Sequence, residues 1–336
     1  MYGWVQKMIS KTKMARYSLP PKFTLVFFLA IICITDGKYL TLDYYSKTCP
    51  KVSDIVHSEM ESAMSSDPRV APQLLRMHFH DCFVQGCDGS VLLDDTATFK
   101  GEKTAGPNMK SIHGFGVVDK IKSRLESECP GVVSCADLLA LAAKDAVILV
   151  GGPYWDVPLG RKDSRSASFE KANTDIPLPN DGLMTLIAKF LAKELTPTDM
   201  VALSGSHTIG VARCTSFRDR IYGDYQYTSK DGVELAKLKE ICPVKGNDDN
   251  ITNLDYTTPT LFDNAYYGNL MRGQGLLNSD QELYSSILGF QTVGLVKKYA
   301  EDSLLFFKHF SDAMVRMGNV TNPHGGEVRK NCRIMN

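Results

Sequence analysis

Net charge is absent from this chain: 38 basic side chains are balanced by 38 acidic ones, so nothing in the composition calls for a nucleic-acid partner. No apolar run reaches the roughly 20 residues that span a bilayer. No period of about 20–50 residues recurs, which excludes a solenoid. Alternating strand patterns are scarce, with Trp155-Asp156-Val157-Pro158 offering one short strand. What is present is helical periodicity. Residues 52–65 place Val52, Ile55, Val56, Met60 and Met64 near a 3.6-residue repeat, and residues 114–125, 136–149, 184–195 and 304–317 also read as amphipathic helices. Ser134 before Cys135-Ala136-Asp137, and Thr196-Pro197-Thr198-Asp199, carry helix-start signals. Pro68 suits the first turn of a helix that continues through residue 80. The expectation is a mainly α protein with ten or more helices and long loops.

The apolar run 23–34 follows Lys7, Lys11, Lys13, Arg16 and Lys22. A basic segment before a short apolar one is the pattern of a secretory signal peptide. Residues 1–37 are therefore expected to be cleaved near Gly37, with Met14 as an alternative start, leaving 38–336 as the mature domain with no stable membrane association. Removing five basic groups and one acidic group leaves 33 and 37, a net of −4. Cys33 leaves with the signal. The other eight cysteines are an even set, and in a secreted chain that favours four disulfides over free thiols or zinc. Spacing alone leaves roughly 105 pairings open. Asn250-Ile251-Thr252 and Asn319-Val320-Thr321 are glycan-acceptor sequons.

Chemistry concentrates in Arg76-Met77-His78-Phe79-His80-Asp81-Cys82-Phe83. Arg76 and His80 stand four residues apart, on one helical face. A fixed cation beside a titratable base suits a reaction that moves a proton and holds a developing oxyanion. His78 and His80, two residues apart, point to different sides of a helix, so one site can use only one of them. His207 in Leu203-Ser204-Gly205-Ser206-His207-Thr208 would, taken alone, read as a core or surface histidine.

Together these segments resemble the secreted plant (class III) haem peroxidases. The resemblance runs from Tyr44-Tyr45-Ser46-Lys47-Thr48-Cys49-Pro50 to Cys332. It includes the 76–90 block, Val157-Pro158-Leu159-Gly160-Arg161-Lys162-Asp163, the His207 block, Phe262-Asp263-Asn264 and Ser279-Asp280-Gln281-Glu282-Leu283. Gly89, where many relatives carry Ala, and Lys162, where Arg is commoner, are departures away from any catalytic position.

The resemblance implies a two-domain, mainly α fold with one haem b between a distal and a proximal helix. It implies reduction of hydrogen peroxide to water and one-electron oxidation of phenolic donors through a ferryl intermediate, by a monomer destined for the cell wall or else the vacuole. His207 would ligate iron, with Asp280 accepting from its other nitrogen. His80 would be the acid–base group, Arg76 the oxyanion stabiliser and Asn108 the acceptor that sets the tautomer of His80. Phe79 would pack over the porphyrin, and Pro177 would contact donors. Two calcium ions are implied: one at Asp81, Val84, Gly86, Asp88 and Ser90, joined by Glu102 through a water, and one at Thr208, Asp255, Thr258, Leu261 (through its carbonyl) and Asp263. All-oxygen ligand sets suit that hard cation. The implied disulfides are Cys49–Cys129, Cys82–Cys87, Cys135–Cys332 and Cys214–Cys242.

Overall fold

The structure is a computed structural model that describes residues 40–223, 233–322 and 326–336; the expected signal segment lies outside them. In chain order the helices are α1 (Val52–Ser66), α2 (Val70–Phe83), α3 (Phe115–Glu128), α4 (Cys135–Ile148), α5 (Phe169–Thr174), α6 (Leu183–Leu191), α7 (Pro197–Ser204), α8 (Arg218–Tyr222), α9 (Val233–Ile241), α10 (Ala265–Met271), α11 (Asn278–Ser285), α12 (Phe290–Glu301) and α13 (Ser303–Gly318). Among the described residues the one sheet pairs β1 (Val211–Arg213) antiparallel with β2 (Ile251–Asn253). No helix among these residues is long and apolar enough to cross a membrane. Leu40–Asn336 gather as one unit.

Helix α4 organises one side of the core. All of it from Cys135 to Val147 is buried, as expected of a helix that is apolar around its circumference. Ser134 caps it by accepting from the Asp137 N–H. Helices α1 and α2 pack against α4, and α3 against α1. On the other side α13 packs on α7, and α12 on α10 and α7. The α7 start is a capping box: Thr196 Oγ1 accepts from the Asp199 N–H, and Asp199 Oδ2 accepts from the Thr196 N–H at 2.8 Å.

Three expectations are corrected. Trp155–Pro158 is not a strand; beside it only Leu159 forms an isolated bridge, with Thr41. Pro68 precedes α2, and Pro72 occupies the first turn, where a missing N–H costs no helical bond. The 184–195 helix is shorter, Leu183–Leu191, and its exit is turned by Glu194 at φ 60°. A small satellite core of Phe217, Ile221, Leu238, Leu276 and Leu277 surrounds Cys214–Cys242, beside β1 and β2.

Candidate active site

Helix α2 presents Arg76 and His80 to the loop 102–111. The Arg76 guanidinium donates to the Ser111 carbonyl at 2.7 Å, the Pro107 carbonyl at 2.8 Å and Ser111 Oγ at 3.2 Å. These neutral acceptors orient the cation without neutralising it, and burial pulls its pKa down to about 10. His80 Nδ1 lies 2.5 Å from Asn108 Oδ1, while Asn108 Nδ2 donates to the Glu102 carbonyl at 3.0 Å. The asparagine therefore offers His80 an oxygen, so the imidazole proton sits on Nδ1 and Nε2 is left as a free base. Burial, reinforced by the Arg76 charge and opposed by the Asn108 bond, holds the His80 pKa well below that of free imidazole. Phe79 packs on Phe83, with ring centroids 4.4 Å apart, and reaches α6 at Phe190. His78 points elsewhere, its ring nitrogens 3.7 Å from Cys82 Sγ. That sulfur is bonded to Cys87, so the histidine and the two cysteines offer no thiolate site for a metal.

The second histidine is not on an α-helix. Helix α7 ends at Ser204, and His207 sits in the 3₁₀ turn Gly205–Thr208 that follows. A side chain at position 205 would collide with the Tyr267 hydroxyl and Phe306, so the turn lies directly against α10 and α13. His207 Nδ1 is 2.7 Å from Asp280 Oδ1, which also accepts from Tyr266 OH at 2.9 Å. Asp280 Oδ2 accepts from the Leu277 N–H at the start of α11. A carboxylate in the first turn of a helix is favoured by the positive end of its dipole. The His207 side chain is 36% exposed, and its Nε2 has no protein partner among the described residues. One occupied and one open imidazole nitrogen is the donor arrangement an axial iron ligand needs, so the residues fit haem.

Two oxygen-rich clusters flank these histidines. In the first, Asp81, Asp88, Ser90 and Glu102 are all buried. Asp81 accepts from the Gly89 N–H and Asp88 from the Ser90 N–H. Val84 ends α2 in extended conformation, and Gly86 turns the loop at φ 100°. Glu102 Oε1 accepts from the Ser168 N–H, but its Oε2 and the Ser90 hydroxyl are buried without a sound hydrogen bond, although the hydroxyl lies near enough to Asp88 and Glu102 to ease both charges. Burial pushes all three carboxyls above their usual range, Asp81 and Glu102 strongly; Asp88 raises these two further. Orphaned oxygens among crowded buried carboxylates fit a bound calcium. Glu102 thus belongs to the cluster by its carboxylate and to Asn108 by its carbonyl.

The C-terminal segment closes this loop from outside. Cys87 N–H donates to the Val320 carbonyl at 2.7 Å, Asn322 to Asp88 Oδ2 at 2.6 Å, and Arg329 to the Gly89 carbonyl at 2.6 Å. Gly89 takes φ 68°, in the left-handed region that favours glycine.

In the second cluster Thr208 Oγ1 meets Asp263 Oδ1 at 3.2 Å, Asp255 Oδ2 at 3.4 Å and the Leu261 carbonyl at 3.5 Å. Thr258 Oγ1 also reaches Asp263 Oδ1, at 3.0 Å. All five residues singled out in the sequence converge, and burial raises the Asp255 pKa.

Pro177 stands apart on a half-buried loop pinned by Lys189, which donates to the Ile176 carbonyl at 2.9 Å. Asn250 and Asn319 are both exposed, Asn250 donating its amide to the Ile241 carbonyl. The four disulfides join the pairs expected from the resemblance. Sequence reasoning missed Tyr266, Asn322 and Arg329. Each acts through a contact that no local spacing encodes.

A family model described as peroxidase matches residues 56–302. Peroxidase 11 of Arabidopsis thaliana is 58% identical over 313 residues, spanning 90% of this chain and 93% of its own length. Peroxidase 49 of the same plant is 50% identical over 314 residues (91% and 94%). Peroxidase 4 of Vitis vinifera is 51% identical over 313 residues (92% and 95%).

Proposed function

Because this chain belongs to the plant class III peroxidase family, haem enzymes that reduce hydrogen peroxide while oxidising a donor, we propose that Arg76, His80 and Asn108 cleave the peroxide and that His207, backed by Asp280, holds the iron. The observation that carries this assignment is the different partner given to each imidazole. His80 meets a neutral amide oxygen and stays a free base; His207 meets a carboxylate and becomes electron-rich.

Haem, held by His207, would supply the redox-active iron for the reduction of peroxide. His80 Nε2 takes a proton from the peroxide and returns it to the departing oxygen. Arg76 stabilises the negative charge that develops as the O–O bond breaks, a contribution of about 3 kcal/mol for one well-placed donor. Peroxide, two protons and two electrons give two waters. Each phenolic donor, meeting the site near Pro177, gives up one electron and one proton and leaves as a radical. Purified protein supplied with haem is expected to show a Soret band and to oxidise guaiacol only when peroxide is present. A folded protein that takes up no haem and stays inert would overturn the assignment.

Two calcium ions occupy the clusters around Asp81 and Thr208. Ser90 Oγ and Glu102 Oε2, both lacking sound hydrogen bonds, support the first site, and the five convergent oxygens around Thr208 support the second. At free calcium about 1,000-fold above its Kd, each ion adds about 4 kcal/mol to stability. Prolonged chelation is therefore expected to lower both activity and Tm, with calcium rather than magnesium restoring them. An unchanged Tm after chelation would remove both metal sites from the account.

The mature enzyme begins near residue 38, is secreted, and carries glycans at Asn250 and Asn319. Four disulfides support an oxidising compartment. The working unit is one chain, as the resemblance to the family implies.

A further inference from the structure

A file of three touching tyrosines leads away from the proximal histidine. The Tyr266 ring lies 6.3 Å from the His207 ring, Tyr267 lies 5.0 Å from Tyr266, and Tyr299 lies 5.1 Å from Tyr267. No phenylalanine interrupts the file, which matters because a benzene ring is far harder to oxidise than a phenol. At the outer end Tyr299 OH is 2.7 Å from His309 Nδ1. That imidazole is the phenol's sole hydrogen-bond partner among the described residues. Tyr299 is fully buried in α12, whereas His309, on α13, is half-buried beside the exposed Lys308.

The three phenols differ in where their protons can go. Tyr267 OH donates to the Val201 carbonyl at 2.9 Å, and a main-chain carbonyl is no base. Tyr266 OH donates to Asp280, which is already shared by His207 and the Leu277 N–H. Only Tyr299 has a free base as its partner. Removing an electron from a phenol is much easier when its proton can leave at the same time. Burial, helped by the Lys308 and Arg316 charges and opposed by Asp312 and Asp199, holds the His309 pKa below that of free imidazole, which favours the unprotonated acceptor.

We propose that Tyr299 is a redox station of this enzyme, reached from the haem site through Tyr266 and Tyr267, with His309 as its proton acceptor. After reaction with one hydrogen peroxide the enzyme is two electrons short. One electron passes from Tyr299 along the file, and the O–H bond breaks as its proton moves to His309 Nδ1, leaving a neutral tyrosyl radical beside an imidazolium. A phenolic donor then returns one electron and becomes a phenoxyl radical. Its own proton goes to solvent, and His309 gives the stored proton back to Tyr299. The oxidising equivalent is thereby parked away from the haem until a donor arrives.

This rests on the haem peroxidase reading, and the test keeps the two separable. Holoenzyme is mixed with one equivalent of hydrogen peroxide without donor, and the haem absorption and electron paramagnetic resonance spectrum are followed together. A tyrosyl signal is expected that narrows when the protein carries ring-deuterated tyrosine. Tyr299→Phe, which removes only the hydroxyl, is expected to abolish it while haem absorption still responds to peroxide. His309→Gln keeps a hydrogen-bond partner but no base, and is expected to slow the signal's appearance on the order of 100-fold, the low end of what a positioned base contributes. A signal of unchanged yield in Tyr299→Phe, or no tyrosyl signal in wild-type enzyme whose haem has responded, overturns the proposal. A wild-type haem that ignores peroxide overturns the peroxidase reading itself, and the proposal with it.

Discussion

Replacing His80 with alanine is expected to slow the reaction with hydrogen peroxide by about 1,000-fold or more, within the range attributed to a positioned general base, while the protein still binds one haem. The asymmetry follows from the division of labour in the site. In the proposed assignment His80 Nε2 is the group freed to take the proton, because Nδ1 is tied to Asn108. Iron would be held from His207, which has its own partner in Asp280 and shares no hydrogen bond with His80. Stopped-flow measurement of the peroxide step, set beside haem content from the Soret band, separates the two roles. A variant that loses haem and activity in parallel would show that His80 had been assigned the wrong task.

Removing the Cys135–Cys332 bridge by paired substitution to alanine is expected to destabilise the protein by about 5 kcal/mol, the chain-entropy value for so long a loop. The bridge spans 197 residues. It also does something the entropy figure leaves out. Cys332 lies just beyond Arg329, whose guanidinium reaches both the Cys332 and the Gly89 carbonyls at 2.6 Å. Freeing Val320, Asn322 and Arg329 should therefore loosen the Asp81–Ser90 loop as well as the core, so calcium affinity and global stability are expected to fall together. Chemical denaturation at fixed calcium and a calcium titration of the same variant measure the two effects. Unaltered calcium affinity in a protein destabilised as expected would mean that the loop holds its shape without the strap.

Much of the helical frame was legible from the sequence because periodicity and caps are local. Residues 52–65 alternate at the helical repeat and become α1, and Ser134 and Thr196 cap helices as their side chains suggest. The turn carrying His207 was harder. Ser204-Gly205 marks a break after an apolar stretch, but whether the next turn stays α or tightens to 3₁₀ depends on what α10 and α13 press against it. The strands β1 and β2 are three residues each, too short for alternation to stand out. The disulfide partners were fixed by the family resemblance alone, since eight cysteines carry no pairing information in their spacing.

Within the site, Arg76 and His80 announce themselves because one helical turn separates them. Tyr266 does not, since its value depends on meeting Asp280, 14 residues on, after α10 and α11 have packed. Tyr299 and His309 lie ten residues apart on successive helices and match no motif. Their meeting is a product of how α12 and α13 fold back on one another.

The reach of Arg329 to Gly89 has a consequence for how the protein is made. Its partner loop emerges 240 residues earlier, and at roughly 5–20 residues per second the ribosome needs on the order of 10–50 s to supply the missing guanidinium. For that interval the nascent chain already carries Arg76 and His80 but lacks the clasp that closes the Asp81–Ser90 loop beside them. Closure of that loop is thereby deferred until synthesis is nearly done.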